Sequence, residues 1–317
     1  MTDNPSSAQS LVSPSAPAGS TGRAEARTGM LMVFGAALAW SFGGAIARSL
    51  ETTDSWAVVA WRSIFAALFL LAFMLWRDGP RGTLRLFRSM GVPGLSVALC
   101  FAIASVSFIV ALSYTTVANI LLMQAGVPLI AALLAVVFLR ESVDAVTWGA
   151  IFAVIGGIAV MVWDSFGSNV SPIGDALALL IACLFAGATV ITRRHAGVRM
   201  TPAVCLGTLM GAAVGVSLAE NLVVSLQDFG FLFLFGALNL GLGMALFVTG
   251  ARLIPSALAA LISTLEPVMG PVWVWLAHNE VPPPRTLIGG GIVFLALLAH
   301  ILWQWRLSRR TALPMPT

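Results

Sequence analysis

The sequence predicts an all-α integral membrane protein of ten transmembrane helices, arranged as two inverted five-helix repeats. Three observations carry that prediction. Of 317 residues, 59% are hydrophobic and only 9% are charged. Ten apolar runs, each near the length of a bilayer crossing, follow one another with short polar breaks. The fourth and fifth runs resemble the ninth and tenth at an offset of 139 positions.

Composition sets the solvent. A soluble domain carries about 25% charged and roughly 45–50% apolar residues. With a mean hydropathy of +0.95, this chain has too little polar surface to face water, so lipid must bathe most of it. The net charge is +4, and all 17 basic residues are arginine. They lie in short segments between apolar runs, which is the pattern of topology determinants and not of a nucleic-acid surface. Cys100, Cys183 and Cys205 each fall inside an apolar run, and His195, His278 and His300 are scattered. Neither a loop disulfide nor a metal site is expected, and no cofactor. A catalytic triad, a paired-carboxylate site and the GxxxxGK[ST] loop are all lacking, so enzyme chemistry is not expected.

Along the chain, residues 1–28 are rich in Ser, Pro, Ala and Gly and are expected to form a disordered cytoplasmic tail. The apolar run beginning near Met30 is too long for a signal peptide. A crossing needs about 20 apolar residues. The runs are placed at 30–50, 56–76, 92–113, 116–138, 145–163, 173–192, 202–221, 229–250, 256–277 and 286–305. The first repeat is assigned to 29–164, the second to 165–305, and a cytoplasmic C-terminal tail to 306–317. Ten spans put fourteen arginines on one side: Arg23, Arg27, Arg77, Arg81, Arg85, Arg88, Arg140, Arg193, Arg194, Arg199, Arg252, Arg306, Arg309 and Arg310. Only Arg48 and Arg285 fall on the other. Both termini are therefore expected in the cytoplasm.

The offset of 139 aligns Pro128 with Pro267, Glu141 with Glu280 and Thr147 with Thr286. One gap further on, Gly149 meets Gly289 and Trp163 meets Trp303. Earlier in each half, an offset of 145 aligns Gly29 with Gly174 and Arg48 with Arg193. Five is odd, so the second copy must enter the membrane from the opposite side. Transporters use such inverted repeats to build inward- and outward-open states from one fold.

Paired prolines near the middle of spans four and nine point to the site. Each removes a helix hydrogen bond and frees a carbonyl four residues back, here those of Gln124 and Ser263. Pro128 and Pro267 are the expected hinges. Glu266 lies at the same depth, where an ionised carboxylate needs protein or a wet cavity around it. It can bind an amine, carry a proton or pair with a cation, for which Arg62 in span two is the candidate. Near span centres fall Trp40, Asn119 and Asn239, with Met123 one turn from Asn119. Each asparagine needs a hydrogen-bond partner, and helix–helix adhesion is as good a reading as substrate contact. Gly207, Gly211 and Gly215, and separately Gly289, Gly290 and Gly291, suit close helix packing.

The segments PLIAALLAVVFLRES and LEPVMGPVWVWLAHNE, each followed by a Gly-containing apolar helix, resemble the repeat of EamA-type carriers of the drug/metabolite transporter superfamily. The resemblance covers roughly residues 29–305. Where that family often has Gly-Glu, this chain has Arg140 before Glu141 and Asn279 before Glu280. Within the family the chain is most similar to bacterial YddG-type exporters of aromatic and other amino acids. The resemblance implies a bacterial inner-membrane protein with a central cavity lined by spans one, three, four, six, eight and nine. It implies export of amino acids by alternating access, with Trp40, Asn119, Met123, Gln124, Asn239, Ser263 and Glu266 as the substrate-binding candidates. Export of another small metabolite or drug, a static membrane scaffold or sensor, and a channel are the alternatives. The expected partners are the lipid bilayer and a small solute, and a monomer is among the possible assemblies.

Overall fold

The computed structural model describes residues 20–140, 144–163, 171–195, 197–254 and 256–311. Lipid offers no partner to a backbone N–H or C=O, so a spanning segment must satisfy its own groups. Every regular element among the described residues is accordingly helical. Span one is α1 (Ser20–Ser41) with α2 (Gly43–Arg48), span two α3 (Ser55–Ser89) and span three α4 (Gly91–Ala111). Span four divides into α5 (Val117–Gln124) and α6 (Val127–Leu139), and span five is α7 (Ala145–Trp163). Spans six and seven are α8 (Pro172–Arg194) and α9 (Thr201–Leu218). Span eight runs through α10 (Leu226–Phe233), a π-helical segment (Leu234–Leu242) and α11 (Gly243–Gly250). Span nine is α12 (Ser256–Ser263) with α13 (Leu265–His278), and span ten is α14 (Pro284–Thr311). Nine of these spans are long and apolar enough by themselves, and the bent pair α5–α6 makes the tenth.

Local chemistry sets several boundaries. The Asp54 carboxylate accepts from the Trp56 N–H and caps α3, while Thr116 and Ser225 cap α5 and α10 through the N–H groups of Asn119 and Asp228. At the far end of α3, Gly79 takes φ +70° just before Pro80, so the backbone leaves the helical region there and two helical stretches meet at a kink. The connection that carries Arg81, Arg85 and Arg88 is thus helical to Ser89. Arg199, between spans six and seven, grips Asp78 at this turn with two donors at 2.7 and 3.1 Å.

Several expected boundaries move. The first helix begins at Ser20, inside the segment expected to be a disordered tail to residue 28, while residues 1–19 lie outside the described part. Span ten continues to Thr311 and not 305, because a helix has no reason to stop where lipid does. Span seven ends at Leu218 and not 221. The proposed repeat boundary at 164/165 falls outside the described residues. Breaks in span one and the π-helical turns of span eight are not anticipated by hydropathy at all.

The inverted repeat is visible in the packing. Spans two and seven, and five and ten, pack as self-related pairs. Span one packs on span eight as span six packs on span three, and span two on eight as seven on three. Two glycine contacts repeat residue for residue. A methyl on Gly29 would lie 2.7 Å from Leu253 and 2.8 Å from Ile254; one on Gly174 would lie 2.7 Å from Thr115 and 3.0 Å from Tyr114. Gly174 stands 145 positions after Gly29, and Leu253 and Ile254 stand 139 after Tyr114 and Thr115. The small-residue series also behaves as expected: Gly207 meets span three at Ala98, while Gly211 and Gly215 meet span two at Ser63 and Ala60. Gly289 packs on Gly157 and Gly290 on Leu122, but a methyl on Gly291 would meet nothing within 4 Å.

Contacts sort the connections onto two ends. One end gathers Arg48, Glu51, Asp54, the Leu112–Thr116 turn, Leu222, Asp228 and Glu280 through shared hydrogen bonds. The other gathers Asp78 with Arg199, and Asp144 and Thr147 with His300 and Trp303. These are the arginine-poor and arginine-rich ends of the ten-span count.

Candidate functional site at the paired helix breaks

Spans four and nine break where the prolines require. Between α5 and α6 only Ala125 and Gly126 leave the helix, and the axis bends by 43°. Pro128 is the second residue of α6, where a missing N–H costs least. Between α12 and α13 only Thr264 leaves the helix, and Pro267 falls in the first turn of α13. The offset of 139 carries Ala125 onto Thr264, so the breaks are repeat equivalents. The halves near the arginine-poor end, α5 and α13, pack on each other. The halves near the other end diverge, α6 onto spans five and six and α12 onto spans one and ten.

Two more irregular segments join this region. Span one loses its helix at Phe42, and the Asn239 side chain in the π-helical segment donates to the carbonyls of Ala39 at 2.6 Å and Trp40 at 3.2 Å. The Trp273 indole of α13 donates to the Ser41 hydroxyl at 3.1 Å, and its ring stacks on Phe42 at 4.9 Å. Trp40 is half-buried, 5.4 Å from the Phe247 ring. π-helical turns occur frequently at functional sites. The run GALNLGLG and the FGG at 42–44 were the only signals for these breaks.

The predicted site residues divide into two groups. Gln124, Ser263 and Glu266 lie at the breaks and are half-buried. The Glu266 carboxylate accepts no hydrogen bond among the described residues, and the Gln124 Nε2 is buried without a partner. The Ser263 hydroxyl donates back to the Ala259 carbonyl at 2.9 Å, leaving its lone pairs for another group. The others are engaged elsewhere. Met123 has no exposed surface and belongs to the largest core cluster, beside Ile120 and Leu122. Asn239 is held by backbone carbonyls, the adhesive role its type allows. Asn119 donates to Asp175 of span six and to Thr115, away from the breaks.

Arg62 does not pair with Glu266. It is 7% exposed, donates to the Ser105 hydroxyl at 2.8 Å, and sits 4.4 Å from the Phe235 ring and 5.7 Å from that of Phe108. The reason lies in packing: α3 turns this face toward span three and the π-helical segment of span eight. The aromatic faces supply part of what a counter-ion would.

A ten-span inverted repeat, broken at matched points in two related helices, is the architecture of many secondary carriers. The chain belongs to the EamA-like transporter family, which matches residues 27–163 and 172–302, one match for each repeat. Among curated proteins it is similar to the pseudopaline exporter CntI of Pseudomonas aeruginosa, in strains PAO1 and UCBPP-PA14. Each is 27% identical over 281 residues, covering 86% of this chain and 95% of the relative. A crystal structure that covers 89% of this chain and 99% of its own aligns with a TM-score of 0.62 at 18% identity, which shows a shared fold. The protein is thus a multi-pass membrane protein of a transporter family.

Proposed function

We propose that this carrier exports amine-bearing small metabolites, amino acids among them, across a bacterial inner membrane by alternating access, with both termini in the cytoplasm. The observation that carries the proposal is Glu266: a carboxylate at a helix break, half-buried and without a hydrogen-bond partner among the described residues. Desolvated carboxylates need a cation or a proton, and an ammonium group supplies the first. Ser263 offers a hydroxyl at the same break and Gln124 an amide at the equivalent break in span four, and Trp40 offers an aromatic wall. Pro128 and Pro267 are the hinges of this reading, because the hydrogen bonds they omit let the half-helices move apart. The arginine count supports the orientation. The resemblance to YddG-type exporters supports amino acids as cargo.

Counterflow in liposomes containing the pure protein tests the reading. Unlabelled amino acid inside should drive uptake of the labelled form, with saturation. If no amino acid tried produced stimulated flux, amino acids would be struck out as cargo. A second reading, export of a larger solute, is favoured by the similarity to a pseudopaline exporter. The same vesicles loaded with pseudopaline separate the two.

A further inference from the structure

An apolar groove lies along span six at the arginine-rich end, away from the helix breaks. It has a volume of about 540 Å³ and is lined by Val92 and Pro93 of span three, Leu134 and Phe138 of α6, and Gly187 and Ile191 of α8, among others. Arg194 and His195, at the C-terminal end of α8, form its rim. We propose that this groove holds an acyl chain of an anionic phospholipid, with the lipid phosphate on Arg194.

Helix periodicity shows which way the groove opens. Ala176, Leu180, Cys183, Gly187 and Arg194 recur at helical spacing and share one face of α8. Leu180 is 41% exposed, and Ala176, Cys183 and Arg194 are exposed as well. The buried Ala178, Ile181 and Ala182 occupy the opposite side. The exposed stripe begins at Ala176, at the end where α5 and α13 pack on each other, so it lies outside the bundle there. An apolar stripe on the outside of a membrane bundle faces acyl chains. The groove is the far end of that stripe, with span three and α6 packed on α8 at either side.

The inverted repeat shows that the space belongs to this half alone. Gly187 stands 145 positions after Phe42, and Trp273 stands 139 after Leu134. In the other arrangement of the repeat Phe42 and Trp273 stack at 4.9 Å. Here the same two places carry glycine and leucine, and a methyl on Gly187 would meet nothing within 4 Å. The missing rings leave apolar walls without contact partners, which a lipid chain supplies. The rim supplies the charge. Arg194 makes no hydrogen bond or ion pair among the described residues. His195 Nδ1 donates to the Ile191 carbonyl at 3.0 Å, which holds the ring at the rim. Among the described residues no acidic side chain lines the groove. Arg88 and Arg140, both exposed, stand four and two positions from Val92 and Phe138. A free guanidinium takes two phosphate oxygens at once, and basic pockets between helices recruit anionic head groups. Gly187 lies about 10 Å along the helix from Arg194, so the chain runs inward from the phosphate.

The inference is independent of the solute carried, and its test reads lipid binding and not flux. The full chain, purified in detergent, is followed by native mass spectrometry with phosphatidylglycerol and with phosphatidylcholine of the same chains. Phosphatidylglycerol should bind about fivefold tighter or more, and Arg194→Gln should cut that preference about fivefold, the effect of one basic residue at a membrane surface. Gly187→Phe puts a ring where the other repeat has Phe42 and fills the groove, so it should remove the bound lipid. That position is open, and an unchanged unfolding temperature confirms that the variant folds. Arg194 is exposed, so its substitution tests the rim even if Gly187→Phe does not fold. Equal binding of the two lipids overturns the proposal. So does phosphatidylglycerol binding that survives both substitutions, which would place the lipid elsewhere. Dimers in place of lipid adducts would also overturn it, by giving the groove to a second copy of the chain.

Discussion

At the scale of single residues, Glu266 carries most of the functional argument, and its role has a direct check. Glu266→Gln keeps the shape and removes the charge, so counterflow of a transported amino acid should fall about tenfold or more. Flux at wild-type level with an unchanged pH profile would remove Glu266 from both substrate and proton handling. A different pair of residues bears on stability. Arg140 and Asn279 close α6 and α13 with φ of +53° and +54°, the left-handed region. They stand 139 positions apart, at equivalent places in the two repeats. A side chain there is strained, less so for asparagine. Arg140→Gly should stabilise the protein by about 0.5–1 kcal/mol and Asn279→Gly by less, read as a rise in unfolding temperature in detergent. The unusual residue types were legible in the sequence, but the sign of φ that gives them meaning was not.

At the scale of elements, two kinds of helix coexist. Spans five and ten form a continuous pair in which Gly157 and Gly289 bring the backbones together; a methyl on Gly157 would sit 2.7 Å from the Gly289 carbonyl oxygen. Gly157→Leu should therefore cost about 1–3 kcal/mol of stability, or more, without a local effect on the breaks. Purified yield and thermal unfolding report it; a variant as stable as the parent would mean the helices can move apart freely. Spans one, four, eight and nine are interrupted. The prolines announced the breaks in four and nine because proline removes a backbone donor wherever it sits. The interruptions in one and eight have no such marker. They arise from a contact between distant segments, the Asn239 amide reaching the Ala39 and Trp40 carbonyls, which hydropathy does not encode. For the same reason Asn239, chosen for its depth, and Met123, chosen for its place one turn from Asn119, are both buried in packing contacts in this state.

At the scale of the whole molecule, the two ends differ in how they are tied. At the arginine-poor end α5 meets α13, and Arg48 joins spans one, three, four and nine through Glu280, Leu112 and Thr115. Glu280 also accepts from the Val117 N–H at 2.9 Å, which fastens the start of α5 to the end of α13. This arrangement closes that end. Glu280→Gln removes the ion pair and should shift the population toward a state open there. A cysteine at Leu121, which is 5% exposed and touches Gly270, reports it in a chain whose own cysteines are replaced by serine. Its labelling by an impermeant reagent from the arginine-poor side should rise several-fold in Glu280→Gln, by about the 1 kcal/mol such a pair contributes. Equal labelling with and without the substitution would mean the latch does not govern access.

The sequence by itself determined the solvent, the number of crossings, the inverted repeat and the two proline breaks. Each of these follows from local composition or from self-similarity, and a lipid environment leaves a backbone few alternatives. Only the tertiary structure decided which polar side chains face one another: Arg62 against aromatic rings and not Glu266, Asn119 against Asp175, Arg48 against Glu280. The last two pairings join residues 56 and 232 positions apart along the chain. They depend on helix rotation and register, which a run of apolar residues of any order can satisfy equally well.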